Sequence, residues 1–218
     1  MDECTHTGHW HSVHMTRQSR IIIFLSGNLL VGLGVAGILR ARLGAAPFDV
    51  TNSGLAGQLG LNVGTASWLV GAVMLLGAWA LGRRPRYGTL IEVALVGLII
   101  NLTLNVLAAP VTLPARLGLL AAALIFLWVG IICLILSRLG AGPVEELMLA
   151  ITAHGPEIHT VRWGLEAILL VAGVLLGGQL GIATFILVIG TGPVLAVVLP
   201  PLERRLHESL HVEVFPVL

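Results

Sequence analysis

Asp49 and Glu145 are the carboxylates best placed to do chemistry in this sequence, because each closes a copy of the same octapeptide. Arg42-Leu43-Gly44-Ala45-Ala46-Pro47-Phe48-Asp49 returns 96 residues later as Arg138-Leu139-Gly140-Ala141-Gly142-Pro143-Val144-Glu145. Gly44, Pro47, Gly140 and Pro143 mark the motif in its two copies. An acid in the first turn of a helix can cap it and meet the positive end of the helix dipole. In an apolar setting it can instead bind a proton or a cation, since an ionisable group at membrane depth is expensive and a functional candidate by default. Both readings stand for this pair.

Other polar residues are candidates for holding a substrate or ion. Arg162 and Glu166 lie four apart, on one helical face. They form a structural ion pair, or Arg162 binds an anionic substrate while Glu166 holds it in place. Asn101 and Asn105 share a face of another apolar run, as ligands for a polar solute or as interhelical hydrogen bonds of about 0.6 kcal/mol each. Glu92, close to Arg83, Arg84 and Arg86, reads as a snorkelling or paired charge. Gly27, Gly32, Gly34 and Gly37, and the pair Gly173 and Gly177, read as close-packing positions. Cys4, His6, His9, His11 and His14 form a tail of potential metal ligands whose spacing matches no closed site, so it reads as a polar tail and no metal is expected. Nothing matches a nucleophile elbow, a phosphate loop, a metalloprotease helix or a dinucleotide fingerprint, so no enzyme and no cofactor are expected.

The elements that must position these residues are set by composition. Hydrophobic residues make up 56% of the 218 and charged residues 11%, against roughly 25% charged in a soluble domain. The lipid bilayer is therefore the expected surroundings. All 12 basic residues are Arg, which with the Ala, Gly, Leu and Val content suggests a bacterial GC-rich genome. A net charge of +1 without a basic patch argues against nucleic acid. Cys4 and Cys133 do not read as a disulfide, and the first fifteen residues do not read as a cleaved signal peptide.

A crossing helix needs about 20 mostly apolar residues. Six runs qualify: 21–39, 63–81, 88–109, 117–136, 161–177 and 182–199. The segments 45–59 and 141–154 are too short to cross, and each has Pro in its first turn, which suits a helix start. They read as re-entrant or interfacial helices. Arg86-Tyr87-Gly88-Thr89 further aligns with Gly181-Ile182-Ala183-Thr184 at an offset of 95. The expected organisation is a polar His-rich tail (1–19), two membrane repeats (20–109 and 110–202) and a C-terminal tail (203–218). With six crossings, Arg17, Arg20, Arg83, Arg84, Arg86, Arg138, Arg162, Arg204 and Arg205 share one side and Arg40, Arg42 and Arg116 the other. That bias puts both termini in the cytoplasm. Three crossings per half make the repeats inverted.

The motif Leu43-Gly44-Ala45-Ala46-Pro47-Phe48-Asp49-Val50, with Gly140-Ala141-Gly142-Pro143 followed by Glu145 and Leu147-Met148, resembles the signatures of the YczE-like integral membrane proteins, relatives of the YitT group. Val161-Arg162 with Glu166, then Leu176-Gly177-Gly178, fits as well. The resemblance covers about residues 20 to 202. It implies a polytopic bacterial inner-membrane protein and no particular substrate. The fold class expected is all-α, two inverted three-helix repeats each with a short helix. The leading functional expectation is a small secondary transporter with a small molecule or ion bound between the repeats. A non-transporting scaffold or regulatory protein is second, and a membrane-embedded enzyme third. The residues specify no oligomeric state.

Overall fold

The computed structural model describes residues 16–210. Among them the chain forms eight helices and no strand: α1 (Arg17–Ala41), α2 (Pro47–Leu59), α3 (Val63–Ala80), α4 (Tyr87–Val106), α5 (Leu113–Ser137), α6 (Pro143–Thr152), α7 (Ile158–Leu175) and α8 (Ile182–Leu210). Five of them, α1, α3, α4, α5 and α7, are long and apolar enough to cross a membrane. Large apolar side chains such as Val73, Ile125 and Leu175 are exposed along them, as helices facing lipid require. The sixth expected run, 182–199, falls within α8, which opens on the apolar stretch Ile182–Leu195. The helix itself runs on to Leu210.

The two short elements are helices with Pro in the first turn, where its missing N–H costs nothing and its fixed φ suits the helix. At roughly 1.5 Å per residue, the 13 residues of α2 and the 10 of α6 rise about 20 and 15 Å, short of a hydrocarbon core of about 30 Å. Each is preceded by a chain reversal. Arg42 and Arg138, the first residues of the repeated motif, both adopt the left-handed conformation at φ 53°. Their N–H groups close the ends of α1 and α5 on Leu39 and Ile135.

The core is the contact of α1 with α5, lined by glycine. A Cβ on Gly34 would meet the backbone of Leu127 and Ala123, and one on Gly130 would meet Val31. The helices run antiparallel: Arg20, near the start of α1, donates from Nε to Ser137 O (2.9 Å) and from an Nη to Arg138 O (3.2 Å) at the end of α5. Arg116, near the start of α5, donates in the same way to Ala41 O (2.7 Å) and Arg42 O (2.5 Å). Around this pair the packing is crossed. α2 lies on α7, and α6 lies on α3. The loops obey the same rule. Thr184 Oγ1 accepts from Ala45 N (3.2 Å), and Thr89 Oγ1 accepts from Ala141 N (3.2 Å). Gly44, at φ 107°, faces the backbone of Gly181 so closely that any Cβ there would clash.

Candidate functional site

The densest polar cluster gathers at the start of α6. Glu146 is buried and takes two partners: Arg83 Nε donates to Oε2 at 2.5 Å, and Thr89 Oγ1 donates to Oε1 at 3.3 Å. Glu92, one turn into α4, is also buried and has one carboxylate oxygen without a partner. Glu145 lies beside it, because a Cβ on Gly142 would meet Glu145 Oε2 and sit 3.7 Å from Glu92 Oε1. Three carboxylates therefore gather at the N-terminal end of a ten-residue helix, where the Arg83 guanidinium is committed to one of them. The helix dipole favours negative charge on Glu145 and Glu146. Nothing equivalent serves Glu92.

This geometry corrects two expectations. Glu145, the residue equivalent to Asp49, is exposed, and its neighbour Glu146 is the buried acid of α6. The phase of a ten-residue helix lying on α3 decides which of two adjacent acids turns inward, and that packing brings Glu146 to Arg83. Glu92 is no snorkelling or paired charge either, since the nearby Arg83 is taken by Glu146.

Asp49 is buried in the first turn of α2, where Asn52 Nδ2 donates to its Oδ1 at 3.4 Å. Burial pushes its carboxyl up from 3.8 to about 7, and the Asn52 hydrogen bond opposes the shift. The face of α2 toward α7 is fixed by Thr51, whose Oγ1 donates to Leu169 O at 2.6 Å, and by Gly173, which lies against the backbone of Val50 and Thr51. Asp49 and Glu145 do not meet. α2 follows the end of α1 and α6 follows the end of α5, and those ends lie at opposite limits of the antiparallel pair.

The remaining candidates are dispersed. Arg162 and Glu166 form an i,i+4 ion pair of 3.1 Å on α7, with Arg162 about half exposed. Asn101 joins α3 to α4, accepting from Gly64 N at 2.8 Å and donating to Thr65 Oγ1 at 3.4 Å, which is interhelical packing. Asn105 is exposed. Gly177 is a turn glycine at φ 80° with no close neighbour, so of the Gly173–Gly177 pair only Gly173 is a packing position. His6, His9, His11 and His14 lie outside the described residues. Among the described residues no three His, Cys, Asp or Glu side chains are arranged to hold a metal ion. Two buried polar residues were not singled out from sequence: Glu146, hidden beside Glu145, and Asn28, fully buried on α1. The repeat register offers the signal for Asn28, because its equivalent on α5 is the apolar Leu124.

Residues 18–200 match the model of a family of unknown function, DUF6198. An uncharacterised protein of Haemophilus influenzae is 29% identical over 197 residues, covering 90% of each chain. The uncharacterised membrane protein YczE of Bacillus subtilis is 30% identical over 195 residues, covering 88% of this chain and 90% of that protein. No solved structure matches. The chain belongs to the DUF6198 family, and so to the YczE-like membrane proteins.

Proposed function

We propose that this member of the DUF6198 family is a small secondary transporter of the bacterial cytoplasmic membrane. It crosses six times, with α8 as the last crossing and both termini in the cytoplasm. Its halves, α1–α4 and α5–α8, are inverted repeats that rock about the α1–α5 seam while a small solute passes between them.

One observation carries the reading. Each short, Pro-initiated helix belongs to one half and rests on the other, α2 on α7 and α6 on α3, and each holds a buried carboxylate, Asp49 or Glu146. A shift of one half against the other changes the surroundings of both acids at once. A group whose burial changes between two states couples its protonation to that change. Purified protein in liposomes, given an imposed proton gradient and a panel of small organic solutes, tests this. The expected result is saturable, gradient-dependent flux of at least one solute, lost in Asp49→Asn. No flux above protein-free liposomes for the whole panel, inorganic ions included, contradicts it.

A scaffold without transport is the second reading. It is favoured by the glycine-lined α1–α5 contact and by an open apolar groove of about 530 Å³ between α3 and α4, lined by Trp68, Leu75, Trp79, Leu90 and Val93 among others. That reading expects no flux, and it expects photo-crosslinkers at positions 76 and 90 to capture one protein partner in native membranes.

A further inference from the structure

Two buried acceptors without partners sit on facing helices. Asn28 is fully buried on α1, and its Nδ2 donates to Phe24 O at 2.8 Å. That bond fixes the amide orientation and leaves Oδ1 with no donor. Glu92 Oε2 on α4 likewise has none. The packing of α1 on α4 puts them within about one helical turn of each other along the axis. A Cβ on Gly32 would meet the Ile99 side chain and lie 3.5 Å from Val96 O, and the Arg40 guanidinium donates to Leu104 O. Gly32 with Val96 and Arg40 with Leu104 share one offset, and the same offset pairs Asn28 with Glu92. Glu92, Val96 and Ile99 also fall on one face of α4, the face that meets α1.

The second half supplies an internal control. The equivalents of Asn28 and Glu92, at offsets of 96 and 95, are Leu124 and Leu187. Both are buried in one apolar cluster. The fold therefore accepts an apolar pair at this place and keeps a polar pair in one half only.

We propose that Glu92 binds an exchangeable proton and donates it in a hydrogen bond to Asn28 Oδ1, in an occluded site between α1 and α4. Two acceptors facing one another repel until one of them carries a donor. An ionised carboxylate buried without a partner is costly, and a proton on Glu92 removes that cost while satisfying Asn28. Among the described residues, the charged groups that act on it come from α6. Glu145 and Glu146 approach from α6, and Glu146 is held by Arg83 from the α3–α4 connection. α3 carries no titratable side chain. On α1, Arg20 and Arg40 are about 12 and 18 Å along the axis from Asn28. Glu145, exposed and adjacent to Glu92 across Gly142, is the group through which the proton reaches solvent. The use of this proton for coupling rests on the transporter reading. The existence of the site does not.

Infrared difference spectra of the full chain in lipid nanodiscs, recorded between acid and alkaline pH, read the site without any flux. In an Asp49→Asn background, which removes the buried acid of α2 that also holds a proton in this interval, the protein is expected to show a buried protonated-carboxyl stretch that Glu92→Gln removes and that Asn28→Leu shifts, because the accepting oxygen is gone. Should Glu92→Gln fail to fold, the double variant Glu92→Leu with Asn28→Leu copies the Leu124–Leu187 pair and should fold without the band. A band equally strong in either Glu92 variant overturns the proposal. So does a band lost with Glu92 but unmoved by Asn28→Leu, which removes Asn28 as the acceptor. A band that appears only when sodium is withheld identifies a bound metal cation instead of a proton and overturns it as well. Failure of flux for every solute leaves these outcomes intact.

Discussion

Arg20 and Arg116 exchange places across the α1–α5 seam: each begins one helix and closes the end of the other. The last carbonyls of a helix have no partner within it. A guanidinium fork can satisfy two of them and also oppose the negative end of the dipole. Here the acceptors are the final residue of each helix and the left-handed arginine that follows, Ser137 with Arg138 and Ala41 with Arg42. A left-handed residue other than glycine costs roughly 1–2 kcal/mol, and the fork offsets that cost at both ends of the seam.

Replacing Arg20 or Arg116 by Ala should therefore destabilise the protein by similar amounts, about 1–3 kcal/mol each, the scale of hydrogen bonds to a charged group. Arg116→Lys should recover little, since an ammonium cannot span two carbonyls as a planar fork does. Thermal unfolding in mild detergent measures this. A neutral Arg20→Ala beside a damaging Arg116→Ala contradicts the equivalence of the two contacts.

Glu146→Gln should cost more, about 3 kcal/mol, because it strands Arg83 and weakens the bond from Thr89. The estimate sits at the low end of the range for buried pairs because the Arg83 side chain is 35% exposed. Removing both charges, in Arg83→Leu with Glu146→Leu, should restore much of the loss. Denaturant unfolding of the two single variants and the double variant yields the coupling. Additive losses contradict a mutual pair.

Asp49 predicts a pH dependence with a definite sign. Its folded carboxyl is raised from 3.8 to about 7. Between those values the unfolded chain has released the proton and the native chain keeps it, so native stability falls as pH rises through that interval and then levels off. The fall is on the order of a few kcal/mol. Asp49→Asn should be properly folded and monodisperse, and its melting temperature should lack this decline between pH 4 and 7. A decline identical to that of the wild type removes Asp49 as its source.

Much of this arrangement was legible in the residues. The octapeptide repeat and its Pro mark both short helices, and the alignment of Thr89 with Thr184 pairs two threonines that the structure puts in equivalent contacts. What stayed hidden was the crossing of those contacts, since a repeat in sequence does not say whether each short helix packs on its own half or the other. Arg20 and Arg116 counted only as flanking charges, because a carbonyl acceptor leaves no mark on sequence. Repeat register makes Glu145 the counterpart of Asp49, and helix phase against α3 turns Glu146 inward instead. Asn28 passed unnoticed because one amide in an apolar helix is informative only beside Glu92, which lies 64 residues away.

The proposed inverted repeats put the two halves into the membrane from opposite sides, and side-specific labelling distinguishes the two faces. In a variant with Cys4 and Cys133 replaced, single cysteines at Gln18, before the bulk of α1, and Val111, before α5, both occupy exposed positions. A membrane-impermeant maleimide applied to intact cells should label position 111 and leave position 18, together with position 84, unlabelled until the cells are opened. Equal accessibility of 18 and 111 from one side contradicts the inverted repeats, and labelling of 18 alone reverses the orientation.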